Sequence, residues 1–214
     1  MRWMCAVLAL AFAARSFGAE EQRHARGRTL VSAAEPAIEL TVASELRFEA
    51  RVPFKLGSFE GERFVFVDAD DKKALRRLVI VQFEHVTSGS SEIYRYDLTH
   101  GRERGGLRFI TNSFAFPGAR QSVASPKDEA DHTNNALLAH GFTMPSVWLA
   151  ARHVTIADGD RRRSEMIVFY MEGRPELTIA DVYRGDEPTP MWRAEKPALE
   201  ERAWASFTIL PKQP

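Results

Sequence analysis

The sequence has 214 residues, which is enough for one large or two small domains. Its 29 basic residues balance its 29 acidic residues, so the charge gives no electrostatic reason to expect a nucleic-acid or an anionic-membrane partner. Cys5 is the only cysteine, and it lies in an N-terminal segment that we expect to be removed. The mature chain would then have neither a disulfide framework nor a thiolate nucleophile.

The N-terminus has the pattern of a secretory signal peptide over residues 1–19. Arg2 supplies a short positive region, and Cys5–Ala14 is an apolar run of ten residues, too short to span a bilayer comfortably. Ser16 and Gly18 then provide small residues for cleavage. The alternative is a buried N-terminal helix, which the polar residues that follow at once disfavour. We therefore expect a secreted or periplasmic protein with no integral membrane span in the mature chain.

Residues 20–36 are polar and show no hydrophobic period, so we expect a flexible leader after cleavage. The remaining residues, 37–214, contain no internal repeat and no convincing linker, which predicts a single domain. Residues 37–52 alternate between apolar and polar side chains, as in a strand, and Pro53 ends this strand because proline cannot donate to a ladder.

The strongest strand signals flank a polar centre, Asp68–Lys73. Phe64–Val67 and Leu75–Phe83 are rich in β-branched and aromatic residues, and we interpret them as the central hairpin of a mostly antiparallel sheet. Leu75–Val86 begins apolar on both faces, which favours a strand covered on both sides. The acidic centre lacks the glycine and the glutamate that a calcium loop requires, so we interpret it as a solvated turn.

Further strands are expected later in the chain, at Ile93–Leu98, Leu107–Phe116, Val147–Ile156, Glu165–Glu172 and Ala203–Leu210. Residues 176–183 are compatible with a short strand or a short helix. Residues 186–197 contain three prolines, which predicts an irregular loop.

One well-capped helix is expected over residues 126–140. Ser125 is a good N-cap, Pro126 fits the first helical position, and Gly141 fits the C-terminal cap. Runs of strands with one late helix argue against alternating βαβ units. The sequence therefore predicts a mainly β, α+β fold: a single domain with a curved antiparallel sheet, or a β-barrel-like one, and this principal helix.

Polar residues of this helix give the only candidate metal site. Asp128 and His132 are four residues apart, so they share a helical face and could ligate zinc, with Asp131 nearby. The alternative is an exposed, capping acidic turn. The chain has no HExxH pair, nucleophile elbow, SxxK motif, Walker loop or GxGxxG after a strand. We therefore predict no catalytic residue, no cofactor and no bound metal, and we favour a protein that is not an enzyme.

Polar residues at the ends of apolar strand faces are the candidate ligand-binding groups. Two such polar residues follow Ile80 on its strand face, one follows Ala150 and two follow Val168. A ligand pocket lined by a sheet would show this pattern. Ordinary strand ends emerging into solvent show the same pattern. The candidates are Gln82, Glu84, Arg152, Tyr170 and Glu172. If a pocket exists, we expect Arg152 beside it, paired with Glu84 or Glu172, because an unpaired buried guanidinium is costly.

These observations favour an exported, non-enzymatic protein that binds a small, partly apolar ligand between sheet and helix. One alternative is a metal-dependent hydrolase that uses the helix carboxylates and His132. Another is a structural or protein-interaction module with an unknown protein partner.

Overall fold

The structure, a computed structural model, describes residues 22–118 and 121–211. The expected signal peptide over residues 1–19 lies outside the described residues. The described chain is mainly β, with three sheets and three helices in a single domain, and its sheets do not close into a barrel. The predicted α+β class with antiparallel strands is confirmed, and of the two predicted architectures the open sheet is the one observed.

The strands are β1 Arg23–Arg26, β2 Thr29–Ser32, β3 Ile38–Val42, β4 Arg47–Leu56, β5 Phe59–Ala69, β6 Leu75–Val86, β7 Arg102–Arg104, β8 Leu107–Pro117, β9 Val147–Ile156, β10 Ser164–Arg174, β11 Tyr183–Arg184, β12 Glu187–Pro188 and β13 Phe207–Pro211. The helices are α1 Glu129–Ala139, α2 Ile179–Val182 and α3 Pro190–Ala205, and a short 3-10 turn covers Gly159–Arg161.

A seven-stranded antiparallel sheet in the order β4-β5-β6-β10-β9-β8-β7 forms the centre of the molecule. Its β5–β6 pair is the predicted central hairpin. Asp70 shapes the turn, because its Oδ1 accepts hydrogen bonds from the backbone N–H groups of Lys72 and Ala74, each at 2.8 Å. Such side-chain to backbone bonds are what favour aspartate in turns.

The central sheet is covered on both faces. On the face that we call the α3 face, Phe66, Val79 and Val81 pack against a second sheet, β1-β2-β3-β13, and against α3. On the opposite face, the α1 face, Leu78 and Ile80 pack towards α1. Alternating side chains of one strand are therefore buried on opposite sides, which confirms the prediction that Leu75–Val86 is covered on both sides.

The expected flexible leader over residues 20–36 is wrong for the described residues from 22 onward. This segment contributes β1 and β2, and β2 pairs with β3 in the second sheet. Leu30 and Ser32 are fully buried. A four-residue strand shows too little alternation to be detected in the sequence, and its stability here comes from pairing with distant segments.

The expected loop over residues 186–197 is wrong from Pro190 onward, because α3 occupies Pro190–Ala205. The expected strand over Ala203–Leu210 is wrong for its first part, which belongs to this helix, whereas its last four residues lie in β13. Thr189 caps the N-terminus of α3 by accepting a hydrogen bond from the Trp192 N–H at 3.3 Å, and a proline suits the first helical position. Pro197 lies within the helix and is exposed, and Arg193, whose carbonyl it leaves without a helical partner, is exposed as well.

Three smaller expectations also need correction. Pro53 does not end its strand, because β4 runs from Arg47 to Leu56 at the edge of the sheet, where a proline is tolerated. The helix α1 begins at Glu129 with Asp128 as its N-cap, and not with Ser125, because the Asp128 carboxylate accepts the Asp131 N–H at 2.7 Å. Residues 93–98 form no strand, because Arg162 holds this segment by donating to two of its backbone carbonyls, each at 2.8 Å.

Candidate functional site

A cavity of about 310 Å³ lies between α1 and the α1 face of the central sheet. Small-molecule sites in proteins usually occupy about 300–1,000 Å³, so this cavity has room for one small ligand. Three of its fifteen lining residues carry polar side chains. The lining residues are Arg63, Leu78, Ile80, Phe114, Phe116, Gly118, Ala130, Thr133, Asn134, Leu137, Met144, Trp148, Ala150, Phe169 and Met171.

The cavity is determined by the side chains that face each other from α1 and from the strands of the central sheet. On α1, Thr133, Asn134 and Leu137 are buried, and their spacing of one, three and four residues places them on one side of the helix. Two small residues, Ala130 on α1 and Ala150 on β9, line opposite walls. Because protein interiors are otherwise close-packed, small side chains on facing walls leave open space.

Arg63 forms the polar end of the cavity, and it is 6% exposed. Its Nε donates to Gln82 Oε1 at 2.7 Å, and its Nη1 donates to Thr133 Oγ1 at 3.1 Å. The guanidinium carbon lies 5.3 Å from the ring centroid of Phe169, within the range of a cation–π contact. Burial lowers the pKa of Arg63 to about 10, against the raising effect of nearby carboxylates, so the group is cationic at neutral pH.

A chain of hydrogen bonds leads from Arg63 away from the cavity. Gln82, which pairs directly with Arg63 across β5 and β6, donates from Nε2 to Glu84 at 3.0 Å. Tyr94 donates its hydroxyl to the other oxygen of Glu84 at 2.6 Å. Burial raises the pKa of Glu84, and burial together with the bond to Glu84 raises that of Tyr94. This arrangement fixes the orientation of Gln82 and hence of the guanidinium.

Glu165 lies opposite Glu84 in the β10–β6 register and is 4% exposed. Burial, reinforced by the negative charge of Glu84, raises the pKa of Glu165 to about 7. Its Oε2 has no hydrogen-bond partner among the described residues. Tyr96 and Arg152 are the neighbours that favour its charged form. Glu165 is thus a buried carboxyl with a pKa near neutral pH, and it does not line the cavity.

The structure separates the five predicted ligand-binding residues into two groups. Gln82, Glu84 and Arg152 lie on the α1 face of the central sheet. Tyr170 and Glu172 lie on the α3 face, where Tyr170 is part of the core and Glu172 bonds to α3. None of the five lines the cavity. Of the five, Gln82 has the most direct connection to the cavity, because it accepts a hydrogen bond from Arg63, which lines the cavity.

The predicted ion pair of Arg152 is wrong for the described residues. Arg152 Nε donates to Asn112 Oδ1 at 2.7 Å and forms no salt bridge with either candidate carboxylate there. Glu172 instead accepts two bonds from Arg202 on α3, at 2.6 and 2.9 Å, and one from the Tyr170 hydroxyl at 2.7 Å. Arg152 is only half-buried, so a neutral partner and solvent satisfy it.

Sequence reasoning missed the three polar residues of the cavity, Arg63, Thr133 and Asn134. Arg63 does have a signal in the sequence, because it alternates with Val65 and Val67 and so lies on an apolar strand face. The predicted strand begins only at Phe64 and therefore leaves Arg63 out. No comparable signal marks Thr133 or Asn134, because the sequence does not distinguish a buried polar residue of a helix from the exposed polar residues of the same helix.

The helix carboxylates and His132 do not form a metal site in the described structure. Within residues 22–118 and 121–211, no group of three or more histidine, cysteine, aspartate or glutamate side chains is arranged to hold a metal ion. None of the helices within these ranges combines the length and the apolar composition that a membrane span requires.

Comparison with protein-family models, with curated proteins and with solved structures found no match to this chain. Its function must therefore be inferred from the cavity and the residues around it.

Proposed function

We propose that this protein is an exported, non-enzymatic binding protein that holds one small, partly apolar ligand between α1 and the central sheet. The observation that carries the proposal is the cavity itself, with twelve lining residues that have apolar side chains or none and three that have polar ones. Apolar walls with a few convergent polar groups are typical of small-molecule sites.

The kind of polar group in the cavity supports binding without chemistry. The cavity presents a guanidinium, a hydroxyl and a carboxamide, from Arg63, Thr133 and Asn134. Arginine stays protonated at neutral pH, and the Thr133 hydroxyl already donates to the Glu129 carbonyl at 2.9 Å. These groups suit the positioning of a ligand by hydrogen bonds.

Export is supported by the N-terminal pattern of one positive residue, an apolar run and small residues. We expect the mature chain to begin near Ala19. Mass spectrometry of protein recovered from its native location tests this, and an intact Met1 on a cytoplasmic product would contradict it.

The binding proposal predicts that n-alcohols enter the cavity with an affinity that rises with chain length. Each buried methylene contributes about 0.8 kcal/mol, so the dissociation constant should fall about fourfold per carbon from butanol to octanol. Methionine methyl NMR reports the position of the ligand: Met144 and Met171 line the cavity, whereas Met166 is buried on the α3 face. Shifts at the first two, and not at Met166, are expected.

A matched pair of substitutions on α1 controls this experiment. Ala130 lines the cavity and is exposed, so Ala130→Trp should fill the cavity and weaken octanol binding at least tenfold. Ala139, exposed on the same helix but away from the cavity, gives the control Ala139→Trp with unchanged binding. Alcohol affinities without chain-length dependence, or equal effects of both variants, would contradict the proposal.

A further inference from the structure

Arg63 brings a positive charge into an apolar cavity without a negative partner in contact. Its two hydrogen bonds go to a carboxamide oxygen and a hydroxyl oxygen, both neutral. Among the described residues, no carboxylate forms a salt bridge with it. Because a buried ion is stable only when its charge and its donors are both satisfied, this arrangement is incomplete as a purely structural element.

The donors of Arg63 are also incompletely used. A guanidinium has five N–H donors, and the hydrogen bonds to Gln82 and Thr133 use two of them. Nη2 donates to no described residue. It is not fully enclosed either, so part of its surface stays accessible. Since Arg63 lines the cavity, a ligand there has donors available to it.

Nearby acidic residues do not remove the need for a partner. Asp128, Glu129 and Glu84 act on Arg63 through space and favour its charge, but the cost of burial is the largest effect on it. Glu129 has the largest effect of the three but forms no salt bridge with Arg63 in the described structure. Asp128 is engaged as the N-cap of α1, and Glu84 accepts from Tyr94 and Gln82. An anionic group that contacted Arg63 directly would replace the water that this side chain has lost.

We propose that the ligand is an amphiphilic monocarboxylate, with its apolar chain in the cavity and its carboxylate bound to Arg63. A planar carboxylate matches the fork of a guanidinium, and such charge-assisted bonds are stronger than bonds between neutral groups. The inference rests on the proposed binding function and adds the chemical class of the ligand. Gln82 and Thr133 are the positioning residues that orient the guanidinium.

The test compares three ligands of equal chain length, octanoate, octanol and octylammonium, by titration of the full protein at pH 7.5. We expect octanoate to bind about tenfold or more tightly than octanol, because a hydrogen bond to a charged group is stronger than one to a neutral oxygen. Octylammonium should bind more weakly than octanol. This comparison needs no variant, so it does not depend on a substituted protein that folds.

Arg63→Met should abolish the preference for octanoate while octanol still binds. Because this variant leaves Gln82 without its partner, the double variant Arg63→Met/Gln82→Met removes both members and serves if the single variant is unstable. Arg152→Met is the matched control, since Arg152 occupies the same sheet face but does not line the cavity. It should keep the preference.

The outcomes separate the two proposals. Octanol and octanoate of equal affinity, tighter binding of octylammonium, or a preference that survives Arg63→Met would overturn the carboxylate inference and leave the binding function standing. If neither octanoate nor octanol shifts Met144 or Met171, the binding function itself fails, and the carboxylate inference fails with it.

Discussion

Two buried groups on opposite faces of the central sheet are expected to give the folding stability opposite pH dependences. Glu165 keeps its proton in the folded protein up to about pH 7, whereas its ordinary pKa is 4.5. Its stabilising contribution is therefore present below about pH 4.5 and is lost as the pH rises to about 7. One pKa unit corresponds to about 1.4 kcal/mol, so the loss is about 3 kcal/mol across this window.

His153 has the opposite effect. It is fully buried on the α3 face, its Nδ1 lies 2.7 Å from Thr111 Oγ1, and its Nε2 has no partner among the described residues. Burial, with the charges of Arg104 and Arg102, lowers its pKa from 6.5 to about 4. Its contribution is present above about pH 6.5 and is lost as the pH falls to about 4, again by about 3 kcal/mol.

The two windows overlap between about pH 4.5 and 6.5, so the two slopes largely cancel in the natural protein. In Glu165→Gln, the contribution of His153 to the pH dependence is no longer cancelled. The free energy of unfolding of this variant should therefore rise with pH more steeply than that of the natural protein, by up to about 1.4 kcal/mol per pH unit. His153→Gln should change the slope by the same amount in the opposite direction. Glu84, whose pKa is also raised, gives the folding stability a pH dependence of the same sign as Glu165 does. It is present in all three proteins.

Urea unfolding from pH 5.0 to 6.5 measures these slopes directly, with the m-value as a check that the unfolding transition stays the same. Below this range, carboxyls with lowered pKa such as Asp68 and Glu172 begin to lose their contribution and would obscure the comparison. Parallel curves for the natural protein and Glu165→Gln would contradict this prediction, since they would show that Glu165 ionises equally in the folded and unfolded chains.

Two further substitutions test the description of the fold. Arg152→Met should change the free energy of unfolding by less than about 1 kcal/mol, because Arg152 is half-buried and bonds only to the neutral Asn112 in the described structure; a loss of 3 kcal/mol or more in urea titration would indicate a buried ion pair after all. Pro197→Ala should stabilise the protein by about 1–3 kcal/mol, because Pro197 is exposed within α3 and alanine restores the missing helical hydrogen bond. An unchanged or lower urea midpoint would show that residue 197 is not within a regular helix.

The central hairpin could be predicted from the sequence because its information is local. Phe64–Val67 and Leu75–Phe83 carry their own alternation, and the turn residues between them have intrinsic preferences for a turn. The second sheet could not be predicted in the same way. Its strand β2 is stable because β3 and β13, up to about 180 residues away in sequence, complete the sheet.

The helix α3 shows how a strong local rule can mislead. Prolines usually interrupt helices, and three of them over residues 186–197 predicted a loop. One of these, Pro190, starts the helix, and Pro197 lies on its exposed side. The buried stripe of Trp192, Leu199 and Ala203 outweighs the missing hydrogen bond, because most helical stability in proteins comes from packing of an apolar side.

The candidate site depends on cross-strand register and on unfilled volume, neither of which a single segment of sequence contains. Gln82 stood out as a polar residue on an apolar face, but its role depends on the register that places Arg63 directly beside it. The cavity depends on Ala130 and Ala150 lining opposite walls, a relation between a helix and a strand that no local pattern encodes. A buried arginine next to such a space is the feature that connects packing to chemistry: closing the cavity would leave the guanidinium with donors that nothing satisfies, whereas an acidic ligand in the cavity would satisfy them.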